Sequence, residues 1–354
     1  MKEKVLNFEL KSNDDITRYS SVLYKKLSQA MTRIDDINNN KWHYYRKLLN
    51  VYDFTSRRIA SNRAFYKLWE LIKIIPDLNI SSVKMTCHLA EAPGSFVEVV
   101  DKLNSNAIKI AISKPPLLYS EVLRNGKTIP TFSQNIISKV HNSTFEYMDL
   151  LDVNELNKLI NKHLNEYDFI TADGGIDDNE KYFDKERIHF KLILAEIISI
   201  LYMLKRGGNC ILKIFDCYTD TTMNLIYFLA KHFKKFDIIK PVTSRATNSE
   251  KYLICLDYQG TIYDVNNCLN VLDSILENVN SNSNNTFTLC QDIPKEFKNF
   301  VLSKLSIYIQ NQIDTINYTV NYIKLSNKEK TPKKLLYQKK DMIFEEWQKD
   351  FELY

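Results

Sequence analysis

The sequence has no apolar run long enough to span a bilayer, and Met1 is followed by polar and charged residues. A membrane-spanning reading is thereby set aside, and a cytoplasmic protein is expected. Cysteine is sparse, and the six residues (Cys87, Cys210, Cys217, Cys255, Cys268, Cys290) include no Cys-x-x-Cys pair. That spacing speaks against a zinc site; the expectation is reduced, buried thiols in a reducing compartment, with no metal. No internal repeat is visible. Neither sign of charge dominates, since 48 Lys and Arg against 43 Asp and Glu leave +5, a mild lean towards polyanions. What is present is 44% hydrophobic and 26% charged residues in a chain of 354. Such a chain can bury one sizeable α/β core plus extensions.

The chain is organised around residues 167–256. In Asn209-Cys-Ile-Leu-Lys-Ile-Phe-Asp216 a lysine, Lys213, sits inside a run that otherwise reads as a buried strand, with Gly207-Gly208 at its start. A near-continuous apolar helical pattern, Ile188 to Leu204, precedes it. Upstream, Tyr167-Asp-Phe-Ile-Thr-Ala-Asp-Gly-Gly175 reads as a strand ending in Asp173 and two glycines. Downstream, Ser249-Glu-Lys-Tyr-Leu-Ile-Cys-Leu256 reads as a strand with Glu250 among its first residues. A buried lysine without a partner is costly, and Asp173 and Glu250 are placed to supply one. Alternating strands and helices imply a mostly parallel sheet, which binds ligands outside the carboxyl ends of its strands. Glu250 reaches that edge only if its strand runs antiparallel.

Taken in order, residues 1 to about 80 read as largely helical, with apolar spacing over Ser20 to Ile37 and Trp42 to Leu49. In Asn62-Arg-Ala-Phe-Tyr-Lys-Leu-Trp-Glu-Leu71 the residues Phe65, Leu68, Trp69 and Ile72 form a stripe that leaves Lys67 off its centre; the helix alone would put Lys67 in solvent. Val83 to Phe96 reads as a strand, a tight Ala-Pro-Gly-Ser turn and a helix starting near Phe96, whose free N–H groups could face a ligand. Ala107 to Ile112 and Phe145 to Met148 read as further strands, the latter ending at Asp149, and Val153 to Leu164 as a helix. Beyond the core, Asp264 to Asn278 and Lys295 to Leu325 read as helical and Asn280 to Asn285 as a polar linker. Ser326 to Lys340 carries six lysines against one glutamate, either a solvated surface or a nucleic-acid contact, with Tyr337 and Trp347 nearby as possible stacking rings. Met342 to Tyr354 is a final amphipathic segment.

Five segments in this order resemble the FtsJ-like (RrmJ-type) ribose 2′-O-methyltransferases: the Arg63-to-Leu68 helix, Ala92-Pro-Gly-Ser-Phe96, Ala172-Asp-Gly-Gly175, Leu212-Lys-Ile-Phe215, and Lys240-Pro-Val-Thr-Ser-Arg-Ala-Thr-Asn-Ser-Glu-Lys-Tyr252. The wording of the third and fifth is similar to the cap-specific members, particularly those of large cytoplasmic DNA viruses. The resemblance implies a Rossmann-like methyltransferase sheet, mostly parallel with one antiparallel strand, to which the sequence adds helical extensions at both ends. It implies an FtsJ-like domain over 61–260; the flanks, read from their own spacing as a helical extension over 1–60 and a helical, lysine-rich one over 261–354, carry no motif of the family. It further implies a catalytic set of Lys67, Asp173, Lys213 and Glu250. S-adenosylmethionine would be held by Ala92, Pro93, Gly94, Ser95, Phe96 and Asp149, the last at the adenine amino group. Three departures stand out: Ser113 where an acid often follows the second strand, Ser95 for a second glycine, and Asn248 for a serine.

The four charged residues also make chemical sense by themselves. A ribose 2′-hydroxyl must lose its proton as it attacks a sulfonium methyl, and Lys213 could act as base if neutral or steer the developing alkoxide if charged. Phosphates leading to that ribose need donors, for which Ser244, Arg245 and Asn248 are candidates. Tyr44, Tyr45, Phe65, Tyr66 and Trp69 are the aromatic candidates for sandwiching a 7-methylguanine. The expected partner is RNA, capped mRNA first. Ribosomal or transfer RNA, or a non-catalytic RNA-binding subunit that keeps the fold, are the alternatives.

Overall fold

In the computed structural model, strands and helices alternate through the centre of the chain. The structure describes residues 9–11, 21–54, 59–116, 130–176, 185–260, 269–270, 272–274, 276, 286–288, 292–326 and 328–354. The strands are β1 Glu9–Lys11, β2 Met85–Leu89, β3 Ile108–Ser113, β4 Ser143–Tyr147, β5 Tyr167–Ala172, β6 Leu204–Ile214, β7 Phe233–Ile239, β8 Lys251–Tyr258 and β9 Thr286–Thr288. The helices are α1 Ser21–Asp35, α2 Asn39–Leu49, α3 Arg63–Ile74, α4 Ser95–Leu103, α5 Gln134–Ile137, α6 Val153–Lys162, α7 Lys185–Met203, α8 Asp220–Ala230, α9 Lys295–Lys324 and α10 Lys333–Asp350. The Asn280 to Asn285 linker, Cys268 and Cys290 lie outside the described residues.

One sheet has the order β4-β3-β2-β5-β6-β8-β7. Its first five strands run parallel, and β8 is antiparallel to both neighbours. The antiparallel strand is thus not the border. Outside it lies β7, whose Phe-Lys-Lys-Phe-Asp stretch shows no alternation by which sequence could reveal it. A second difference concerns Gly207-Gly208, which sit within β6 rather than before it. Tyr167 pairs with Leu204 but Phe169 with Asn209, so two steps of β5 face five of β6. Gly207, at φ +82°, lets that bulge turn.

Alternation along the central strands divides the core between the two faces. Ile170, Leu212, Leu253 and Cys255 pack with α7, α8 and α9, whereas Phe169, Ile211, Tyr252 and Ile254 pack with α3 and α4. Cys87, Cys210, Cys217 and Cys255 are buried and free of disulfides. Helix starts follow local chemistry: the Asn62 side chain accepts from Ala64 N–H before α3, and Asp152 accepts from Asn154 and Glu155 N–H before α6.

The flanks close over this core. Arg33 of α1 donates to Asn317 and, at 2.6 Å, to Asn321 of α9. The rings of Phe344 and Trp347 from α10 pack on Phe54 and Tyr66, and Trp69 Nε1 donates to Phe351 O at 2.8 Å. Trp347 is 3% exposed, so it is unavailable for base stacking in this structure. Half of the lysine run is engaged with α2: Lys330 and Lys333 lie over the rings of Tyr45 and Tyr44 at 5.1 and 5.0 Å, and Lys340 donates to Lys47 O. No helix among the described residues is long and apolar enough to cross a membrane.

Candidate active site

The strand order reverses at β2, with β3 and β4 on one side and β5 and β6 on the other. That is the topological switch point where such sheets form a crevice. Leu89 and Ala172 end β2 and β5 side by side, and Asp173 N–H donates to Leu89 O at 3.2 Å. The Ala90-to-Ser95 turn therefore lies beside Asp173, with Lys213 one strand further on.

Two ion pairs meet at this edge. Lys213 Nζ lies 3.1 Å from Asp173 Oδ1 and donates to the Asp173 carbonyl at 2.6 Å. Lys67 Nζ lies 2.8 and 2.9 Å from the two Glu250 oxygens. The antiparallel direction of β8 brings its amino end, and Glu250 just before it, to the carboxyl edge of β6. Lys67 is therefore not in solvent; the edge of the α3 stripe points it at Glu250. Burial would lower the Lys213 pKa, but the carboxylates of Asp173, Glu250 and Glu196 prevail and hold it above the ordinary lysine value. Glu250 shifts the other way: burial would raise it, and the ammoniums of Lys67, Lys213 and Lys240 hold it well below the usual carboxylate range.

Several buried groups that support the pairs were not singled out from sequence. Tyr252 OH donates to Asp173 Oδ1 at 3.1 Å. Lys240 donates to Asn248 O, Asn248 Oδ1 and Glu250 O at 2.8 to 2.9 Å, closing the loop ahead of β8. Burial, with Lys251 and Lys67 close by, lowers its pKa to about 7. Glu196 of α7 accepts from Gly174 N–H at 3.1 Å, and burial raises its pKa to about 8. A Cβ on Gly174 would stand 2.3 Å from the Glu196 carboxyl, which is the reason for glycine there. Glu91 Oε1 accepts from Phe96 and Val97 N–H at 2.6 and 3.3 Å. Two amides of α4 that the sequence would leave open to a ligand are thus occupied from within. The signal for Glu91, an acid just ahead of the Ala-Pro-Gly turn, was present in the sequence.

The turn itself is tight: Ala90 has φ +53° and Gly94 +111°, and a Cβ on Gly94 would meet the Ile136 side chain at 3.2 Å. Ser95 Oγ is buried with no hydrogen-bond partner. Asp149 follows β4 at the same edge; its Oδ2 lies 2.8 Å from Lys114 Nζ, and its Oδ1 accepts from Leu151 N–H at 3.0 Å. Ser113 is turned inward, its hydroxyl 3.4 Å from Ala92 N, which leaves half-exposed Lys114 as the polar group at the end of β3.

The FtsJ-like methyltransferase profile matches residues 60–258, more than half of the chain. The chain belongs to the FtsJ-like methyltransferase family. Its curated relatives include "Cap-specific mRNA (nucleoside-2'-O-)-methyltransferase 1" of Dictyostelium discoideum, 27% identical over 88% of this chain and 45% of the relative. The "Cap-specific mRNA (nucleoside-2'-O-)-methyltransferase" of Autographa californica nuclear polyhedrosis virus is 38% identical over 36% of this chain and 49% of its own. "Probable methyltransferase EP424R" of African swine fever virus is 24% identical over 94% of this chain and 80% of its own. The chain spans about half the length of the first two relatives.

Within this FtsJ-like chain, the loop ahead of β8 is spoken for in part. Ser244 Oγ donates to Glu250 Oε1 at 2.8 Å, and Asn248 Oδ1 is held by Lys240. Arg245 Nε, by contrast, is buried with no hydrogen-bond partner. Of the aromatic candidates, Phe65, Tyr66 and Trp69 are core residues at 1 to 3% exposure. Tyr44 and Tyr45 reach the surface.

Proposed function

We propose that the chain transfers a methyl group from S-adenosylmethionine to the ribose 2′-hydroxyl of the first transcribed nucleotides of capped mRNA. The observation that carries this reading is the convergence of the Lys67–Glu250 and Lys213–Asp173 pairs on one sheet edge, beside the turn at the switch point. The residues at the other end of the crevice fit the cofactor. Asp149 offers a carboxylate acceptor for an adenine amino group, and the tight Ala92 to Phe96 turn at the same edge carries Ser95, whose buried hydroxyl makes no hydrogen bond. When bound, that cofactor supplies an electrophilic methyl on a sulfonium, which departs as a neutral thioether.

Lys213, with its pKa held high, carries a proton at neutral pH and so cannot accept another. Its part is to orient the hydroxyl and stabilise negative charge as that charge develops on the oxygen. Asp173 fixes the ammonium through Oδ1, and its Oδ2, which has no hydrogen-bond partner among the described residues, is placed to receive the departing proton. Lys67 neutralises Glu250, so the two pairs leave no net charge on the four groups before substrate arrives.

The test is methyl transfer to one short RNA prepared with a methylated guanosine cap or with a 5′-triphosphate. A far faster rate on the capped form, at the first or second ribose, is expected. Equal rates, or activity on structured ribosomal or transfer RNA alone, would remove the cap assignment and leave the methyl-transfer chemistry.

A further inference from the structure

At the edge of the sheet opposite the two ion pairs lies a second concave surface. β7 runs antiparallel to β8 and so in the direction of β6; its start, like the end of α8, lies at the amino edge. There the end of α8, the start of β7 and the first turns of α9 enclose a groove of about 260 Å³. Tyr227, Phe236, Phe297 and Phe300 line it with half-buried rings. Tyr227 meets Phe297 edge-on at 5.0 Å between centroids, and Phe236 lies 5.4 Å from Phe297 and 6.1 Å from Phe300. The charged residues of the lining are Lys231 and Lys234, both exposed, and no acid is among the described residues there. Lys234 has Asp257 only at a loose 3.7 Å. α9 begins after Pro294, whose side chain cannot accept from the N–H groups of the first turn. The positive end of a 30-residue helix therefore adds to the two lysines, with Glu296 as the one acid in that turn.

We propose that this groove docks a partner protein through an acidic segment that carries one large apolar side chain. At less than the roughly 300–1,000 Å³ of small-molecule pockets, it suits a single side chain better than a cofactor. Four contiguous rings left half open to water form a patch that gains from being covered. Charge selects what covers it. An acid beside the anchor would meet Lys231 or Lys234 and the start of α9, whereas a basic segment would be repelled. RNA fits less well, because the rings lean on one another and do not stand apart as platforms for successive bases. The groove also lies at the sheet edge away from the catalytic groups, so an RNA held at those groups would have to wrap round the sheet to reach it. A partner seated here leaves the crevice at the switch point open, and docking is separable from methyl transfer.

Fluorescence anisotropy with a labelled acidic peptide containing one central phenylalanine tests the docking. Two control peptides carry alanine in place of the phenylalanine, or lysines in place of the acids. Wild type should bind the first peptide about tenfold or more tighter than either control. Lys231→Glu/Lys234→Glu, changed at two exposed side chains, should lose the preference for acids and keep its cofactor affinity. Tyr227→Ala should lose the preference for phenylalanine over alanine. Should that variant be unstable, the double variant at the exposed lysines decides alone. Equal binding of the three peptides by wild type would overturn the proposal, as would a preference for acids that survives in the lysine variant. So would displacement of the peptide by a short single-stranded RNA whose own affinity falls in that variant, which would assign the groove to RNA.

Discussion

Tyr252 stands directly opposite Lys213 in the antiparallel register of β6 and β8, and its hydroxyl donates to the same Asp173 oxygen that pairs with Lys213. Because side chains alternate along a strand, Glu250, two residues earlier, projects towards the same side as Tyr252. One backbone register thus aligns a lysine, the phenol that steadies its partner, and a second carboxylate.

Lys213→Ala should abolish methyl transfer while cofactor binding persists, since Lys213 is assigned to the hydroxyl and not to the cofactor. A loss of under tenfold, about 1.4 kcal/mol in the barrier, would remove Lys213 from that role. Single-turnover rates alongside calorimetric cofactor binding give both quantities.

Asp149→Ala should act in the opposite sense and weaken cofactor affinity first, because the acceptor placed for the adenine amino group is gone. It also frees Lys114 from its partner. Calorimetry decides it: unchanged affinity would take Asp149 out of the adenine site.

Glu196 gives a pH dependence whose sign is fixed. Burial raises its pKa from 4.5 to about 8, so between those values the folded chain holds a proton that the unfolded chain has released. Its stabilising contribution is complete below about pH 4.5 and is lost as pH rises towards 8. Glu196→Gln keeps an oxygen for the Gly174 N–H and removes the titration. The variant should gain on wild type by on the order of 1–3 kcal/mol between pH 5 and 8. Parallel curves in denaturant titrations at the two pH values would show that Glu196 is ionised in the fold.

The lysine run divides into two groups with different expectations. Lys330, Lys333 and Lys340 are engaged with α2, so substituting them should lower stability. Lys328, Lys334 and Lys339 are exposed, and if they meet RNA phosphates, replacing them with Gln should flatten the salt dependence of RNA binding. Equal slopes would make them a solvated surface.

The residues that the sequence made legible are those whose chemistry contradicts their surroundings. Lys213 in an apolar strand, and Asp173 before two glycines, demand an explanation from sequence alone. Lys67 sat on the margin of an apolar stripe and needed the resemblance to be picked out. Glu196 lies in a helix so apolar that one acid reads as a turn towards solvent, yet it is 1% exposed. Lys240 needs the fold, because its three acceptors all belong to a loop whose path is set by β7 and β8. The β1–β9 pair is three residues a side, too short for alternation to register.

The hairpin of β7 and β8 also bears on the order in which the site is made. Contacts of Lys240 and Ser244 with Glu250 span ten residues or fewer, whereas the Lys67–Glu250 pair spans 183. Short closures lose little chain entropy and form early; long ones wait for the rest of the sheet. A chain halted before α3 docks would carry Glu250 already clamped by its loop, with Lys240 close by but without its Lys67 partner. Hydrogen exchange during refolding should therefore protect the β7–β8 amides before those of α3, and competence for chemistry should appear with the later event.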